Sequence, residues 1–475
     1  MGKVILAGAG CGSLDLLTLR AWKAVREADC ILYDALIDMR ILKLAKETCE
    51  CINVGKRSGH HQMTQEQINA LLLRKAIAHA RVVRLKGGDP FVLGRGGEEA
   101  LFLHEHGIET EVIPGISSAI AVPELAGIPL THRTLAHGFH VIDAHEPQRI
   151  RFDALVAEGN TCVFLMGLAH LPKITQGLLR AGMDPKLPSA VISQGACNAQ
   201  QVLYAPLAQL ADRFLAAPLP APAVIVTGAC AALHPQLYSP LPLQGVQVGI
   251  AAFGSGDKLA WMLEEKGAVA TQLCMAEAIA HLDALDEISF TAYDWLIFTS
   301  PRAVSAFISW MKARGKDVRQ LAQTKIAVVG SACAESLQAV LLQPDLIAAV
   351  QDAAHLGEQL AEMTGANTRL LHLCGELHDD ALRARFGSQL QTRVIYHMKH
   401  EVRQEACGKM DYVIFTCASA AAACAGMIDA AKAIAIGDRC AQELRRQGIK
   451  EIISASAHSL AGCIDALIQD REEKR

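Results

Sequence analysis

The chain has no run of about 18 uninterrupted apolar residues, and this absence predicts that no segment spans a membrane. Its start, MGKVILAGAG, lacks the apolar stretch and the small-residue cleavage site of a secretory signal. A formal net charge of only -4 argues against a general attraction to nucleic acid or anionic lipid. We therefore expect a cytoplasmic protein without nucleic-acid or membrane partners, in which an acidic ligand meets a local basic cluster.

The 15 cysteines are scattered and form no CxxC pair. Cys49 and Cys51 are separated by one residue, but no His or Cys follows them at the spacing of a zinc finger. These features predict free thiols in a reducing compartment and no bound metal. Hydrophobic residues make up 51% of the 475 residues and charged residues 20%, a composition typical of several well-buried α/β domains.

A proline-rich passage separates two halves of different character. Prolines resist both helix and central strand, which predicts a linker over 233–244. The half before it, 1–232, is dense in glycine motifs. The half after it, 245–475, carries an internal repeat.

In that repeat, YDWLIFTSPRAVSAFISWM (293–311) matches DYVIFTCASAAAACAGM (411–427), and TKIAVVGSACAESL (324–337) matches AKAIAIGDRCAQEL (431–444). Each unit is an apolar β-branched run, a small polar turn and an Ala-rich stretch, which predicts strand, loop and helix. Alternating strands and helices indicate parallel sheets, and the duplication indicates two similar α/β lobes. Ligands of such lobes bind at the carboxyl ends of the strands.

The N-terminal stretch GAGCGSLDLLT follows an apolar run and precedes a helical pattern. Gly8 and Gly10 match the start of a dinucleotide fingerprint, and Asp34 lies where a ribose-binding carboxylate would be expected. The fingerprint also requires a glycine at position 13, where this chain has Ser13. The loop alone therefore leaves NAD open as one of several ligands.

Three further patches surround this loop in the sequence. NVGKRSGHHQMTQEQIN (53–69) is a compact basic loop in which Thr64 and Gln67 predict a capping box that opens a helix. VVRLKGGDPFVLGRGGEEALFL (82–103) is a strand followed by a glycine-rich turn, and EVIPGISSAIAVPELAGIPLTHR (111–133) ends in basic residues. No nucleophile–base triad, metal set or Walker loop is present. The pattern predicts a cofactor cleft of glycine backbones beside basic loops for an acidic substrate.

These segments, together with ADCILYDALI, FLMGL and PAVIVTG, resemble the uroporphyrinogen-III C-methyltransferases of the tetrapyrrole methylase family over about 1–230. The resemblance implies a fold of two α/β lobes, about 1–112 and 113–232, with S-adenosylmethionine bound between them. It implies Asp34 as proton acceptor and Lys56 as proton donor. The residues it implies for the cofactor are Cys11, Gly87, Gly88, Asp89, Val92, Ser117, Ser118, Met166, Gly195, Pro222 and Ala223. Cys11 and Ser13 depart from the family's GAGPGD.

The second half resembles uroporphyrinogen-III synthase over about 240–470, through YDWLIFTS, AVVGSACAESL, RLLHLCGELHDDAL, VIYH and DYVIFT. The resemblance implies a two-lobed parallel α/β domain, with one lobe of about 245–279 plus 397–475 and another of about 280–396. It implies closure of hydroxymethylbilane with inversion of one ring, which demands positioning more than acid or base groups. The residues expected to line this cleft are Thr299, Ser300, Ser331, Tyr396, Thr416 and Ser419.

Together the two resemblances predict a bifunctional enzyme that forms uroporphyrinogen III from hydroxymethylbilane and methylates it twice to precorrin-2. The substrate carries eight carboxylates, and the basic residues expected to bind it are Arg57, His60, His61, Arg95, His132 and Arg133. A homodimer through the first half is also expected from the family. One alternative is a methyltransferase with a non-catalytic tetrapyrrole-binding second half. Another is an NAD-dependent oxidoreductase, although no second GxGxxG follows a strand.

Overall fold

The computed structural model describes two compact units. One comprises Met1–Gln247 with Leu263–Val269, and the other Val248–Met262 with Ala270–Arg475. None of the described helices is long and apolar enough to cross a membrane. The described residues are 2–55, 63–254, 256–376, 378–403, 409–428 and 430–473.

The first unit begins with a lobe whose five strands all run parallel. Its elements are β1 (Lys3–Gly8), α1 (Leu19–Glu27), β2 (Cys30–Tyr33), β3 (Glu50–Asn53), α2 (Gln65–Ala78), β4 (Arg81–Lys86), α3 (Gly96–Glu105) and β5 (Thr110–Ile113). The strand order is β3-β2-β4-β1-β5. β1 and β4 are buried along nearly their whole length, as parallel strands covered on both faces usually are. The carboxyl ends of the strands therefore share one edge.

The capping box predicted for α2 is confirmed. The Thr64 hydroxyl accepts from the Gln67 backbone N–H, and the Gln67 side chain accepts from the Thr64 N–H. This arrangement satisfies two backbone N–H groups at the start of α2.

A second lobe of the same unit has a mixed sheet with the order β6-β7-β10-β8-β9. β10 runs antiparallel to both β7 and β8. The elements are α4 (Ser118–Leu125), β6 (Phe139–Asp143), α5 (Phe152–Glu158), β7 (Thr161–Leu165), α6 (Leu171–Arg180), β8 (Pro188–Ser193), β9 (Gln201–Pro206), α7 (Leu207–Ala216) and β10 (Ala223–Thr227).

Part of the proline-rich segment predicted to be a linker is helical, although prolines resist helix. The short helix α8 (His234–Leu237) has Pro235 in its first turn. Proline is tolerated at that position because the first N–H groups of a helix have no intrahelical acceptor.

The second unit is built on one sheet of ten strands. Its elements are β11 (Gln247–Ala251), α9 (Gly256–Glu265), β12 (Val269–Ala280), β13 (Trp295–Phe298), α10 (Pro301–Ala313), β14 (Lys325–Val328), α11 (Ser331–Gln338), β15 (Leu346–Ile347), α12 (Ala353–Glu362), β16 (Leu370–Gly375), α13 (Ala381–Phe386), β17 (Leu390–Val402), β18 (Tyr412–Phe415), α14 (Ala418–Cys424), β19 (Lys432–Ala435), α15 (Asp438–Arg446), β20 (Ile452–Ser454) and α16 (Leu460–Glu472).

The order of this sheet is β15-β14-β13-β16-β17-β12-β11-β18-β19-β20. The outer strands pair in parallel, as the sequence predicted. The central pair does not, because β12 and β17 are antiparallel from Cys274↔Val402 to Ala280↔Tyr396. These two long strands join the two halves of the sheet into a single layer.

The internal repeat is confirmed as a repeat of structure. β13 followed by α10 corresponds to β18 followed by α14, and β14 with α11 corresponds to β19 with α15. The copies differ at the helix start. Ser300 caps α10 through its hydroxyl, whereas Cys417, in the matching position, makes no side-chain cap.

Candidate functional site

Three strand ends of the first lobe approach so closely that only glycine fits. A Cβ at Gly8 would lie 2.4 Å from the Gly115 Cα, and one at Gly115 would lie 2.1 Å from the Gly88 carbonyl oxygen. Gly88 has a φ of 69°, which confirms the glycine turn predicted after β4. Its N–H donates to the Gly10 carbonyl over 2.7 Å. The result is a compact edge of bare backbone.

Asp89 fixes this edge through its carboxylate. One oxygen accepts from the Gly115 N–H at 3.0 Å and the other from the Phe91 N–H at 2.8 Å. The side chain therefore ties the loop after β4 to the end of β5.

The N-terminal loop reaches the second lobe. Gly12 has a φ of 75°, and a Cβ there would lie 2.2 Å from the Ala196 carbonyl oxygen. The Ser13 N–H donates to that oxygen over 3.0 Å. Cys11 is buried in one apolar cluster with Ala119 and Ala196, and burial raises the pKa of its thiol to about 11. Cys11 is therefore a packing residue at the junction of the two lobes.

Most of the residues predicted to bind the cofactor lie along this junction. A Cβ on Gly88 would be 3.8 Å from Ser117 Cα and Ser118 N, so the β4 loop faces the start of α4. The Gln194 N–H, next to Gly195, donates to the Pro222 carbonyl over 2.8 Å. Gly87 and Asp89 flank Gly88, and Ala223 pairs with Ser193. Val92 is exposed, and Met166 is half-exposed with a φ of 58°.

Asp34, the predicted proton acceptor, follows β2 at the same edge of the sheet. Its side chain is 29% exposed, and one carboxylate oxygen accepts from Arg84 Nη2 at 2.5 Å. The Asp34 backbone N–H donates to the Leu85 carbonyl over 3.1 Å. The carboxylate is thus held by β4 and still reaches solvent.

Behind Asp34 lies a buried charge cluster that the sequence analysis missed. It consists of Arg84, Lys86 and Glu99, which are almost completely inaccessible to solvent. Burial lowers the pKa of the Lys86 ammonium. The signal in the sequence was Arg84-x-Lys86 within a predicted strand, since alternate strand residues share one face.

The predicted basic cluster is only partly described. Lys56, Arg57, His60 and His61 lie outside the described residues. Arg95 is exposed and paired with Glu98 at 2.6 Å. His132 and Arg133 are exposed, and His132 Nδ1 lies 3.0 Å from the Thr134 hydroxyl.

In the second unit, hydroxyl groups meet at the carboxyl ends of β13 and β16. The Thr299 hydroxyl lies 2.9 Å from His372 Nε2, and the Ser300 hydroxyl lies 3.0 Å from the Tyr396 hydroxyl. A Cβ at Gly375 would lie 2.5 Å from Tyr396 Cζ, so that glycine makes room for the ring. Thr299, Ser300 and Tyr396 were predicted to line the cleft, and the structure brings them together.

His372 is the residue of this group that sequence reasoning missed. It is buried, and this burial, with a smaller contribution from His378, lowers the pKa of its imidazole to about 4. A lone histidine in the apolar strand LLHLCG was its only signal. The imidazole is neutral near pH 7, so the site contains hydrogen-bonding groups without a permanent charge.

The remaining predicted lining residues lie elsewhere on the sheet edge. Ser331 begins α11, and the Thr416 N–H donates to the Ala251 carbonyl over 3.1 Å. The Ser419 hydroxyl lies 3.3 Å from Cys417 Sγ. Within the described part of the chain, none of the three is hydrogen-bonded to the group around Tyr396.

One triad of possible metal ligands occurs among the described residues. Ligand atoms of Cys30, Glu50 and His79 lie within 4.8 Å of one another. Lys75 Nζ already lies 2.6 Å from both carboxylate oxygens of Glu50. A cation at this position would have to displace that ammonium group.

Comparison with known proteins assigns each half to a family. Residues 3–211 match the tetrapyrrole (corrin/porphyrin) methylases, and residues 257–465 match uroporphyrinogen-III synthase HemD. The porphyrin biosynthesis protein HemD of Ruminiclostridium josui is 31% identical over 98% of this chain and 98% of its own length. The uroporphyrinogen-III C-methyltransferase of Methanocaldococcus jannaschii is 46% identical over 48% of this chain and 96% of its own.

Among solved structures, the uroporphyrin-III C-methyltransferase of Thermus thermophilus, complexed with S-adenyl homocysteine, is similar to the first half. It is 40% identical, covers 49% of this chain and 99% of its own, and has a TM-score of 0.43.

Proposed function

This chain belongs to the tetrapyrrole methylase family in its first half and to the uroporphyrinogen-III synthase family in its second, and we propose that it catalyses two consecutive steps. The second half cyclises hydroxymethylbilane to uroporphyrinogen III, and the first half methylates that product twice to precorrin-2. One observation carries the proposal: the two halves, each a match to its own family, are joined in one chain, and the product of one reaction is the substrate of the other.

We propose S-adenosylmethionine as the cofactor of the first half, where it supplies the methyl group when bound. The glycine edge supports this assignment because Gly87 and Gly88 leave room that larger residues would fill. A Cβ at Gly87 would come no closer than 3.4 Å to the Leu36 carbonyl, and one at Gly88 no closer than 3.8 Å to Ser117 and Ser118. These four residues would hold the cofactor at the junction of the two lobes.

Asp34 is the proposed proton acceptor of methyl transfer. A ring carbon that gains a methyl group leaves the macrocycle with a positive charge. Loss of a proton from another ring position returns the electron pair of that C–H bond to the π system and restores neutrality. The solvent-accessible carboxylate of Asp34 can accept this proton. Lys56 remains the proposed donor, and Arg95, His132 and Arg133 remain candidates for the substrate carboxylates.

The second half is proposed to act mainly by holding a linear tetrapyrrole with its ends in contact. The neutral hydrogen-bonding group of Thr299, Ser300, Tyr396 and His372 supports this view, because such groups orient a polar chain without strong proton transfer. Ser331, Thr416 and Ser419 remain proposed lining residues.

The test is a coupled assay on the full-length protein with hydroxymethylbilane and S-adenosylmethionine. The expected product is a dimethylated macrocycle of the type III isomer. Methylation of supplied uroporphyrinogen III, with only type I product from hydroxymethylbilane, would overturn the synthase activity and leave the methyltransferase. An absence of methylation from either substrate would overturn the methyltransferase activity.

We further propose a homodimer formed through the first half. Phe139 and Val141 are exposed on β6, an edge strand of the second lobe, and a second copy would cover such a surface. Light scattering on the full-length protein, compared with Val141→Lys, tests this. A monomeric wild-type protein would contradict it.

A further inference from the structure

Two cations lie on one face of a central strand in a place where apolar residues are the rule. Arg84 and Lys86 are 2% and 3% exposed, on β4. Their neighbour on the same face, Val82, packs against Leu72 of α2 and Leu103 of α3 in an apolar core. Lys and Arg are almost never fully buried unless they are paired. The two buried cations therefore require partners of opposite charge.

The inner partner is Glu99, which is fully buried. Its Oε1 accepts from Arg84 Nε at 3.2 Å, from Lys86 Nζ at 3.0 Å and from Gln65 Nε2 at 3.1 Å. Its Oε2 has no hydrogen-bond partner within the described part of the chain. One carboxylate balances only one of the two cations.

The outer partner is Asp34, whose side chain is 29% exposed, while the other three charges of the cluster are at most 3% exposed. Arg84 Nη2 lies 2.5 Å from Asp34 Oδ1, while Arg84 Nη1 donates to the Leu85 carbonyl over 3.2 Å. The guanidinium is thus fixed by Glu99 on one side and by the strand on the other. Its Nη2 group is directed at the proposed proton acceptor.

Fold stability gives a poor reason for this arrangement. Desolvating two cations and two carboxylates is costly, and well-packed apolar side chains of similar volume often stabilise a core equally well or better. A rigid charge relay of this kind is useful where a carboxylate must be held in one orientation against a reacting substrate.

We propose that Arg84 is a positioning residue for methyl transfer: clamped by Glu99, it holds the Asp34 carboxylate in the orientation in which it takes the proton from the macrocycle. The inference rests on the proposed role of Asp34. In this proposal the buried Arg84 acts through Asp34 rather than on cofactor or substrate directly, and Glu99 acts through Arg84.

The experiment uses full-length enzyme with supplied uroporphyrinogen III and single-turnover methylation. The variants are Arg84→Lys, Arg84→Gln and Glu99→Gln, each also combined with Asp34→Asn. The matched control is Arg81→Met, which removes an arginine from the same strand, where it pairs with Glu27 at the surface. Affinity for S-adenosylhomocysteine is measured in parallel by calorimetry.

We expect Arg84→Gln to lower the methylation rate by roughly a hundredfold, Arg84→Lys less, and Glu99→Gln roughly fivefold. S-adenosylhomocysteine affinity should change less than about twofold, because the Arg84 side chain bonds to Glu99, Asp34 and strand carbonyls and not to the glycine edge. Arg81→Met should behave as wild type. In the Asp34→Asn background the same substitutions should have no further effect. A merely structural role would lower cofactor affinity and rate together.

Wild-type methylation rates in Arg84→Lys and Glu99→Gln, alongside an inactive Asp34→Asn, would overturn this proposal and leave the function intact. Additive losses in the double variants would also overturn it, because Arg84 would then act independently of Asp34. If Arg84→Gln does not fold, the test rests on Glu99→Gln, whose lower methylation rate should disappear in the Asp34→Asn background. An Asp34→Asn enzyme as active as wild type would instead remove the premise about Asp34.

Discussion

The two sites of this chain differ in what they bury. Behind the first site lie full charges, with Arg84 joined to both Glu99 and Asp34. The second site contains neutral groups, with Thr299 bonded to a His372 whose pKa burial lowers to about 4. The difference follows the two proposed reactions. One must remove a proton from a macrocycle, and the other must hold a flexible chain while its ends join.

The repeat inside the second unit gives a similar contrast on a smaller scale. Ser300 caps α10 and contacts Tyr396, while its counterpart Cys417 lies at an uncapped helix start. The duplicated lobes therefore share their fold, but only one copy supplies the hydroxyl pair. Duplication preserved the scaffold and left the site asymmetric.

The largest effect is expected from removing the charge of Asp34, the partly exposed carboxylate of the first site. Asp34→Asn should lower methylation of uroporphyrinogen III by about a thousandfold, since general-base catalysis contributes roughly 10²–10⁴-fold. Formation of uroporphyrinogen III from hydroxymethylbilane by the same protein should be unchanged. Both rates can be followed by chromatography of the products. A loss of both activities would contradict the separation of the two sites.

The neutrality of the second site predicts a pH dependence of stability. Between pH 6.5 and about 4 the unfolded chain protonates His372 while the folded chain does not, so the free energy of unfolding falls as the pH falls. At pH 4 the buried neutral imidazole of His372 is expected to lower the free energy of unfolding by about 3 kcal/mol, relative to its value near pH 7.

Urea unfolding followed by tryptophan fluorescence measures this effect, because three of the four tryptophans, Trp261, Trp295 and Trp310, belong to the second half. His372→Gln is the control and should show a flatter pH dependence. Equal slopes for wild type and variant would mean that folding does not lower the pKa of His372.

Backbone contact at the first site should be sensitive to a single methyl group. Gly115→Ala places a Cβ 2.1 Å from the Gly88 carbonyl, and backbone cannot move aside as a side chain can. We expect a loss of about 2 kcal/mol in the stability of the first unit, and weaker S-adenosylhomocysteine binding. Gly97→Ala is the matched control, since a Cβ there meets nothing within 4 Å. Stability and S-adenosylhomocysteine affinity are both measured by calorimetry. Equal values for the two variants would contradict the close approach of Gly115 to the Gly88 carbonyl.

The smallest effect is expected from the hydroxyl of Tyr396. Tyr396→Phe removes the bond to Ser300, and the rate of uroporphyrinogen III formation should fall about tenfold, the equivalent of one neutral hydrogen bond. Methylation should not change. Tyr293→Phe, whose hydroxyl pairs with Gln391 away from this group, serves as control. If the two substitutions reduce cyclisation equally, the Tyr396 hydroxyl has no special role.

The features that could be predicted from the sequence depend on short-range patterns. The repeated strand–loop–helix units were visible as matching apolar runs, and the capping box at Thr64 was visible as two residues three positions apart. The glycine turn at Gly88 followed from the tolerance of glycine for positive φ. In each case the cause lies within a few residues of the effect.

The features that could not be predicted depend on long-range pairing. Arg84 meets Asp34 across 50 positions, and Thr299 meets His372 across 73. No local pattern encodes these distances, since strand order decides which carboxyl ends are neighbours. The antiparallel pairing of β12 with β17 escaped for the same reason. The family resemblance named Asp34 but did not indicate the charges behind it.

The antiparallel pair of β12 and β17 in the second unit also has a use in protein engineering. The His281 N–H donates to the Ile395 carbonyl over 2.8 Å, so the chain leaves β12 and returns through β17 at almost the same point. The strands β13 to β16 and their helices therefore form an insert whose two ends are neighbours. Inserts with adjacent ends can be exchanged through two cuts with little strain on the host. The segment from β13 to β16 is accordingly suited to exchange between related chains.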